Sequence, residues 1–155
     1  VPSPEPRRIV ELDIIRDSVR RGYVPIAVGG GGIPVVRREN QGFEGVEAVI
    51  DKDLSASLLA RRLAAEVLII CTAVPHVSLG FGGAHETAIH DIDATTLAQQ
   101  QSQGEFPAGS MGPKVEACLR YVRGGGVGAR RRAIITDMEN LRDSLAGRAG
   151  TIISP

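Results

Sequence analysis

The chain has 155 residues, of which 43% are hydrophobic, so it is long enough to form one domain with a buried core. Its 18 basic and 18 acidic residues cancel, and it contains no tryptophan, two tyrosines and three phenylalanines. Such a chain has little means to attract nucleic acid by charge or by base stacking. No segment has the roughly 18 apolar residues that cross a bilayer, and the N-terminus lacks the apolar core of a signal peptide, so we expect a cytoplasmic protein.

Helical and extended patterns alternate along the first part of the chain. Apolar residues at spacings of three and four over residues 5–21 predict a helix with one buried stripe. The apolar run at residues 24–28 predicts a strand that leads into four glycines at 29–32. Valines on either side of a polar stretch predict a small hairpin over residues 35–46, with its tip at 40–42.

A helix with Asp51 as its N-cap is predicted to run to about residue 65. The next segment, residues 67–72, is the most apolar run in the chain and predicts a central, fully buried strand. The Gly- and His-rich region 78–93 lacks periodicity and predicts an irregular loop with one short strand. The remaining predicted elements are helices at 95–103, 113–123 and 138–146 and strands at 132–136 and 151–154.

This alternation predicts a single α/β domain over residues 1–155, with a mainly parallel sheet and helices on both of its faces. Cys71 and Cys118 lie in apolar surroundings at no metal-like spacing, so both are predicted to be buried, reduced thiols. The three histidines are too irregularly spaced for a zinc site, and no metal site is predicted.

The four glycines after the first predicted strand are Gly29, Gly30, Gly31 and Gly32. Because they have no Cβ, their backbone N–H groups can come close to an oxyanion. The run matches neither of the common nucleotide-binding loop patterns, so a flexible turn is the alternative interpretation.

Lys52 lies between Asp51 and Asp53 at a predicted helix start. The helix macrodipole disfavours a lysine there unless an anion is bound, which favours a phosphate contact with a neighbouring carboxylate to orient the lysine. The alternative is a solvated run of charges with an aspartate cap.

Lys114 lies in the first turn of a second predicted helix, after Pro113 at a position that suits proline. Gly109 and Gly112 give the backbone before the helix more conformational freedom. Lys114 then projects near backbone N–H groups that favour an anion. Phosphoryl transfer depends on charge stabilisation and positioning, and a lysine can provide both. Lys52 and Lys114 together predict a polyphosphate held from two sides, whereas an ordinary Gly-Pro helix start is the alternative for Lys114.

Six motifs extend nearly from end to end of the chain. They are Val-Pro-Ser-Pro at 1–4, the glycine loop at 29–34, Gly-Val-Glu-Ala-Val-Ile-Asp-Lys-Asp-Leu at 45–54, Gly-Glu-Phe at 104–106, Ala-Gly-Ser-Met-Gly-Pro-Lys-Val-Glu-Ala at 108–117, and Gly-Arg-Ala-Gly-Thr-Ile at 147–152. In this order and at this spacing they resemble carbamate kinase, of the amino acid kinase superfamily.

The resemblance implies an ATP-dependent kinase that interconverts carbamate and ATP with carbamoyl phosphate and ADP, often in arginine catabolism, with Mg²⁺ accompanying the nucleotide. It implies that Lys52 and Lys114 bind phosphate and that Asp53 organises them. The residues implied for the phosphate, acceptor and nucleotide regions are Gly29, Gly30, Gly31, Gly32, Thr72, Val74, Ala108, Gly109, Ser110 and Met111. The implied fold is a three-layer α/β/α sandwich, usually a homodimer.

The family protein is about twice as long, and this chain resembles only its C-terminal half. Residues 72–74 read Thr-Ala-Val where the family commonly has Thr-Asp-Val, and residues 75–85 and 124–132 also depart from the family pattern. Three interpretations follow: half of an active kinase completed by another chain, a truncated nucleotide-binding module without activity, or a structural or dimerising unit. A sheet divided in this way leaves an unpaired edge and an apolar face, which predicts self-association.

Overall fold

A computed structural model describes residues 1–39, 42–124 and 131–155 of the chain. In chain order its elements are α1 Leu12–Arg20, β1 Val35–Arg38, β2 Gly42–Gly45, α2 Lys52–Leu63, β3 Val67–Cys71, β4 Val77–Leu79, β5 Thr87–Ile89, β6 Asp91–Asp93, α3 Ala94–Ser102, α4 Met111–Arg123, β7 Arg132–Thr136, α5 Leu141–Leu145 and β8 Thr151–Ser154. This mixture of helices and strands confirms the predicted α/β class.

The central sheet has four strands in the order β3-β7-β8-β6. β3 with β7 and β6 with β8 are parallel, whereas β7 and β8 are antiparallel. The connection from β7 to β8 contains only the five-residue helix α5 and returns the chain in the opposite direction. The predicted mainly parallel sheet is therefore confirmed only in part, because the sheet is mixed and two antiparallel hairpins, β1-β2 and β4-β5, lie outside it.

The hydrophobic core joins the central sheet to helix α4. Val115, Leu119 and Val122 recur at helical spacing on α4, and all three are buried, as predicted. They form one cluster with Ile135 of β7 and Ile153 of β8, which have no exposed surface. Helix α2 packs against α4, so the core also sets the relative positions of the two helix starts that carry the lysines.

The N-terminal region packs less tightly than the sequence predicts. The helix predicted over residues 5–21 begins only at Leu12, and no residue of α1 is buried, so the prediction of a buried stripe is wrong. Residues 24–28 form no strand, and the side chains of Val24 and Ile26 are 92% and 101% exposed. A strand needs a neighbouring strand to pair its backbone groups, and none among the described residues pairs with this segment.

Strand β3 lies at an edge of the sheet rather than at its centre. Within the described residues it pairs with β7 alone, its residues alternate between half-buried and buried, and Cys71 at its end is exposed. The predictions of a central, fully buried strand and of a buried Cys71 are wrong, because no second strand of the described residues pairs with β3 and one of its faces is only half-buried. Cys118 is buried and free, as predicted.

The region 78–93 is more regular than predicted, since it contains β5, β6 and most of β4. The predicted hairpin over 35–46 is present as β1 and β2, but residues 40 and 41 at its predicted tip lie outside the described residues, as do residues 125–130 of the divergent segment. The strands predicted at 132–136 and 151–154 are present as β7 and β8 with the predicted ends. The other predicted helices are present with shifted ends, and α5 is shorter than the predicted helix at 138–146.

Candidate functional site

The start of α2 is set by its capping residue. The Asp51 side chain accepts hydrogen bonds from the backbone N–H groups of Asp53 and Leu54, at 2.8 and 2.9 Å. This confirms Asp51 as the N-cap, and it satisfies two N–H groups that have no partner inside the helix. Lys52 and Asp53 are thereby held in the first turn, where Asp53 is only 7% exposed.

A tight turn sets the start of α4. The backbone N–H groups of Ser110 and Gly112 both donate to the carbonyl oxygen of Pro107, at 3.2 and 2.9 Å. A Cβ on Gly112 would lie 3.0 Å from that same oxygen, so glycine fits where a larger residue would press on the turn. Helix α4 therefore begins at Met111, slightly before the predicted position, and Lys114 follows within its first turn.

The two lysines converge on one carboxylate. Nζ of Lys114 donates to Oδ2 of Asp53 at 2.8 Å, and Nζ of Lys52 lies 3.5 Å from the same oxygen. The side chains of Asp53 and Lys114 are 9% and 14% exposed, whereas that of Lys52 is 57% exposed. These are the only two lysines among the 18 basic residues of the chain. Two ammonium groups thus share one carboxylate oxygen, and both are charged hydrogen-bond donors for an anion.

Cys118 follows Lys114 by one turn of α4 and is fully buried. Burial raises the pKa of its thiol well above the ordinary value, and the nearby Asp53 carboxylate raises it further, while the Lys114 ammonium acts in the opposite direction. The thiol therefore stays protonated at neutral pH and packs as a small apolar group near the ion pair.

A cavity of about 410 Å³ opens beside this ion pair. Eight of the predicted site residues line it: Lys52, Asp53, Thr72, Val74, Gly109, Ser110, Met111 and Lys114. The predicted site residues that do not line it are Ala108, Gly29, Gly30, Gly31 and Gly32. The lining combines charged groups from the starts of α2 and α4 with apolar side chains from the connections after β3 and β4. This combination suits a ligand with an anionic part and an apolar part.

The glycine loop at 29–32 packs against α2 instead of lining the cavity. The Ser55 hydroxyl donates to the carbonyl oxygen of Gly31 at 2.7 Å, and Gly31 is buried. Gly31 has a φ of +133°, and a Cβ there would lie 1.9 Å from the carbonyl oxygen of Ile50. The backbone thus needs glycine for this close approach, and the loop supports the helix start that carries Lys52.

Several lining residues are not among the predicted site residues. They are Asp51, Ala73, His76, Ser78, Phe81, Glu105, Phe106, Pro107 and Pro113. Glu105 and Phe106 do have a sequence signal, since Gly-Glu-Phe at 104–106 is one of the six motifs. Ser78 and Phe81 have none, because they lie in the region where no periodicity is present.

No group of three or more His, Cys, Asp and Glu side chains that could hold a metal ion occurs in the described parts of the chain. Across residues 1–39, 42–124 and 131–155, no helix has the length and apolar character needed to cross a membrane.

Known proteins resemble this chain in sequence and in fold. Residues 2–137 match the amino acid kinase family, and the chain belongs to this family.

Within that family the chain is similar to carbamate kinases. It is 43% identical over 153 residues to the carbamate kinase of Thermoplasma acidophilum, and the matched region covers 99% of this chain and 48% of the relative. It is 44% identical over 153 residues to the carbamate kinase-like protein YahI of Escherichia coli, covering 99% of this chain and 47% of that protein. The solved structure of carbamate kinase from Giardia lamblia bound to AMP-PNP matches with a TM-score of 0.93 and 38% identity, over 99% of this chain and 47% of that one.

These similarities confirm the resemblance to carbamate kinase. The chain spans about half the length of the curated relatives that it matches.

Proposed function

We propose that the chain is the nucleotide-binding half of a carbamate kinase, which transfers a phosphoryl group reversibly between ATP and carbamate. The observation that carries this proposal is the pair of lysines around Asp53 at the cavity of an amino acid kinase fold. In the proposed reaction a carbamate oxygen forms a bond to the γ-phosphorus while the bond from that phosphorus to the bridging oxygen breaks, and ADP leaves.

Lys52 and Lys114 are proposed to bind the phosphates and to neutralise their charge. Negative charge moves onto the bridging oxygen during transfer, and positive groups held in place stabilise that change. The 2.8 Å hydrogen bond to Asp53 orients the Lys114 ammonium before the nucleotide binds. The N-terminal ends of α2 and α4 add partial positive charge at the same place.

The nucleotide is proposed to occupy the cavity beyond the end of β3, since ligands of open α/β sheets bind at the carboxyl ends of the strands. Thr72 and Val74 directly follow β3, and the residues at 109–111 form the turn into α4. Ala108 contributes to the backbone of that turn without lining the cavity. The glycine loop at 29–32 is proposed to serve the phosphate and acceptor side, with its buried Gly31 holding it against α2.

Mg²⁺ is proposed to arrive with the nucleotide, as MgATP, rather than to be held by protein carboxylates. The carboxylates at the cavity are already engaged: Asp53 with Lys114, Asp51 with the backbone of α2, and Glu105 with the backbone N–H of Gly80. The residues present therefore do not fit a protein-held magnesium site, whereas substrate phosphates are common magnesium ligands.

The whole protein's assembly is part of the same proposal. Residues 1–155 form one domain, and the N-terminal half of a carbamate kinase supplies the carbamate site and completes a three-layer α/β/α sandwich. The exposed residues Val24 and Ile26 and the edge of β3, which no other strand of the described residues pairs with, support such a partner. The completed enzyme is proposed to be a cytoplasmic homodimer that acts in arginine catabolism.

A nucleotide-binding module without catalysis is the second candidate. Its support is the length, since the chain spans 48% of the Thermoplasma acidophilum relative and 47% of a protein described only as carbamate kinase-like. In this case the chain binds ATP but has no acceptor site.

Two measurements separate the candidates. Calorimetry on the chain alone tests ATP binding, and a mixture of the chain with the N-terminal half of a carbamate kinase tests ATP formation from ADP and carbamoyl phosphate. The kinase proposal expects both, with ATP formation lost in Lys114→Ala and retained in Arg62→Ala, which changes an exposed cation of α2 outside the cavity lining. Binding without turnover supports the module, and a folded chain that does not bind ATP contradicts both candidates.

A further inference from the structure

Two carboxylates other than Asp53, the one shared by Lys52 and Lys114, hold the loop that follows β4. Glu105 lines the cavity, and its Oε2 accepts a hydrogen bond from the backbone N–H of Gly80 at 3.1 Å. Glu86 accepts from the backbone N–H of Gly82 at 3.0 Å. Between these two bonds lies Phe81, which lines the cavity with 63% of its surface exposed. The loop therefore presents an aromatic ring at the cavity and is tied at both ends.

Glu105 is held in place by the end of α3. Gly104 has a left-handed backbone with a φ of +84°, and the backbone N–H of Glu105 donates to the carbonyl oxygen of Gln100 at 3.3 Å. The next residue, Phe106, is 7% exposed and also lines the cavity. The Glu105 carboxylate thus extends from a fixed backbone position and ties the loop after β4 to the connection before α4.

Glu86 stabilises the same loop through its hydrogen bond with the backbone N–H of Gly82. The backbone N–H of Gly82, then the hydroxyl of Ser78, and to a smaller extent the His76 side chain lower the pKa of Glu86, against a small opposing effect of burial. Glu86 is therefore ionised at neutral pH and remains a hydrogen-bond acceptor for the loop. Ser78 and His76 also line the cavity.

The aromatic and the charged parts of the cavity come from different elements. Phe81 and Phe106 belong to the two connections that Glu105 joins, whereas the lysines belong to the starts of α2 and α4. In a nucleotide, the base is the flat, largely apolar part, and the phosphates carry the charge. A residue that positions the aromatic rings should therefore affect recognition of the base and leave recognition of the phosphates unchanged.

We infer that Glu105 is a positioning residue for the nucleotide base: by holding the loop after β4, it keeps Phe81 at the cavity before the ligand binds. This inference rests on the proposed nucleotide binding.

The test compares ATP with inorganic tripolyphosphate, which has the phosphates without the base, by calorimetry on the full chain. Glu105→Ala removes the acceptor for Gly80 and is expected to weaken ATP binding about tenfold while leaving tripolyphosphate binding unchanged. Glu105→Gln keeps an oxygen acceptor and is expected to restore most of the ATP affinity. Gln103→Ala changes an exposed residue of the same connection and is the matched control.

The outcomes are distinguishable. Equal losses for both ligands in Glu105→Ala, or no loss for ATP, overturn the inference and leave nucleotide binding in place. A folded, unchanged chain that does not bind ATP overturns the proposed function and this inference with it. Amide hydrogen exchange at Gly80 is an independent measurement: it is expected to be faster in Glu105→Ala than in Glu105→Gln, and equal rates in the two variants contradict the inference.

Discussion

Lys114 and Asp53 are 61 positions apart in the chain, and a 2.8 Å hydrogen bond joins their side chains. Each lies in the first turn of its helix, so the bond connects the start of α4 to the start of α2. Since both side chains are largely buried, the pair is weakly screened by water. The arrangement of Lys52, Asp53 and Lys114 is therefore formed before any ligand binds, and Lys52 adds a second ammonium group beside the same carboxylate.

Removal of Lys114 should destabilise the fold as well as weaken ATP binding. In Lys114→Ala the buried Asp53 carboxylate keeps only the more distant Lys52, at 3.5 Å. We expect the free energy of unfolding to fall by about 2 kcal/mol, because a buried carboxylate loses its charged donor. Urea unfolding at neutral pH measures this, with Arg62→Ala as the control. Equal stability of Lys114→Ala and the unchanged chain would show that the ion pair is not formed in solution.

The presence of only two lysines makes their exposure measurable by chemical labelling. Lys52 is 57% exposed and Lys114 14%, so an amine-directed acylating reagent should modify Lys52 first. ATP should slow the modification of both, and adenosine, which has no phosphates, should not. Mass spectrometry of the two peptides gives the rates. Protection by adenosine equal to that by ATP would argue against a phosphate contact.

Gly31 and Gly30 are neighbours with opposite steric constraints. Gly31→Ala places a Cβ 1.9 Å from the Ile50 carbonyl oxygen at a φ of +133°, whereas a Cβ on Gly30 meets nothing within 4 Å. We expect Gly31→Ala to lower the free energy of unfolding by about 2 kcal/mol or more and Gly30→Ala to change it by less than about 0.5 kcal/mol. Denaturant unfolding of both variants tests this, and similar values for the two would contradict the buried position of Gly31.

The cap of α3 should make stability depend on pH. The Asp93 carboxylate accepts from the N–H groups of Thr95 and Thr96 and from the Thr96 hydroxyl. These bonds, chiefly that from the hydroxyl, lower the pKa of Asp93 below its ordinary 3.8. Because this pKa is lower in the folded chain than in the unfolded one, the contribution is complete above the ordinary value and is lost as the pH falls through the folded value.

The measurement is urea unfolding at neutral pH and in acid, for the unchanged chain and for Asp93→Asn. Asparagine still caps the helix but does not titrate, so the variant should lose less stability in acid than the unchanged chain does. Identical losses in the two proteins would show that Asp93 is not involved.

The exposed apolar segment at residues 24–28 predicts self-association of the isolated chain at micromolar concentration. Ile26 is 101% exposed, and replacing it by lysine should lower the mean mass measured by light scattering. Met138→Lys changes another apolar side chain, 68% exposed and outside this segment, and should leave the mass unchanged. A monomeric unchanged chain would contradict the prediction.

A local sequence pattern is sufficient to predict the role of a residue whose partners lie within the same turn. Asp51 is predicted as a cap because the groups it satisfies are two and three residues away, and the start of α4 is predicted to within a few residues from its glycines and proline. Prediction of an element fails where its formation or position depends on residues that are distant in the chain. Residues 24–28 have the composition of a strand but no strand to pair with among the described residues, and the apolar run of β3 is the same at an edge as at a centre.

By itself, the amino-acid sequence determined the class of fold, the family resemblance and the two lysines at helix starts, because capping, periodicity and motif spacing are properties of neighbouring residues. Only the tertiary structure decided that both lysines share Asp53, that Gly31 supports α2 without lining the cavity, and that Glu105 accepts from Gly80. Each of these contacts joins elements that are distant in the chain. The packing of helices against one another and against the sheet brings these elements together, and no local sequence pattern specifies that packing.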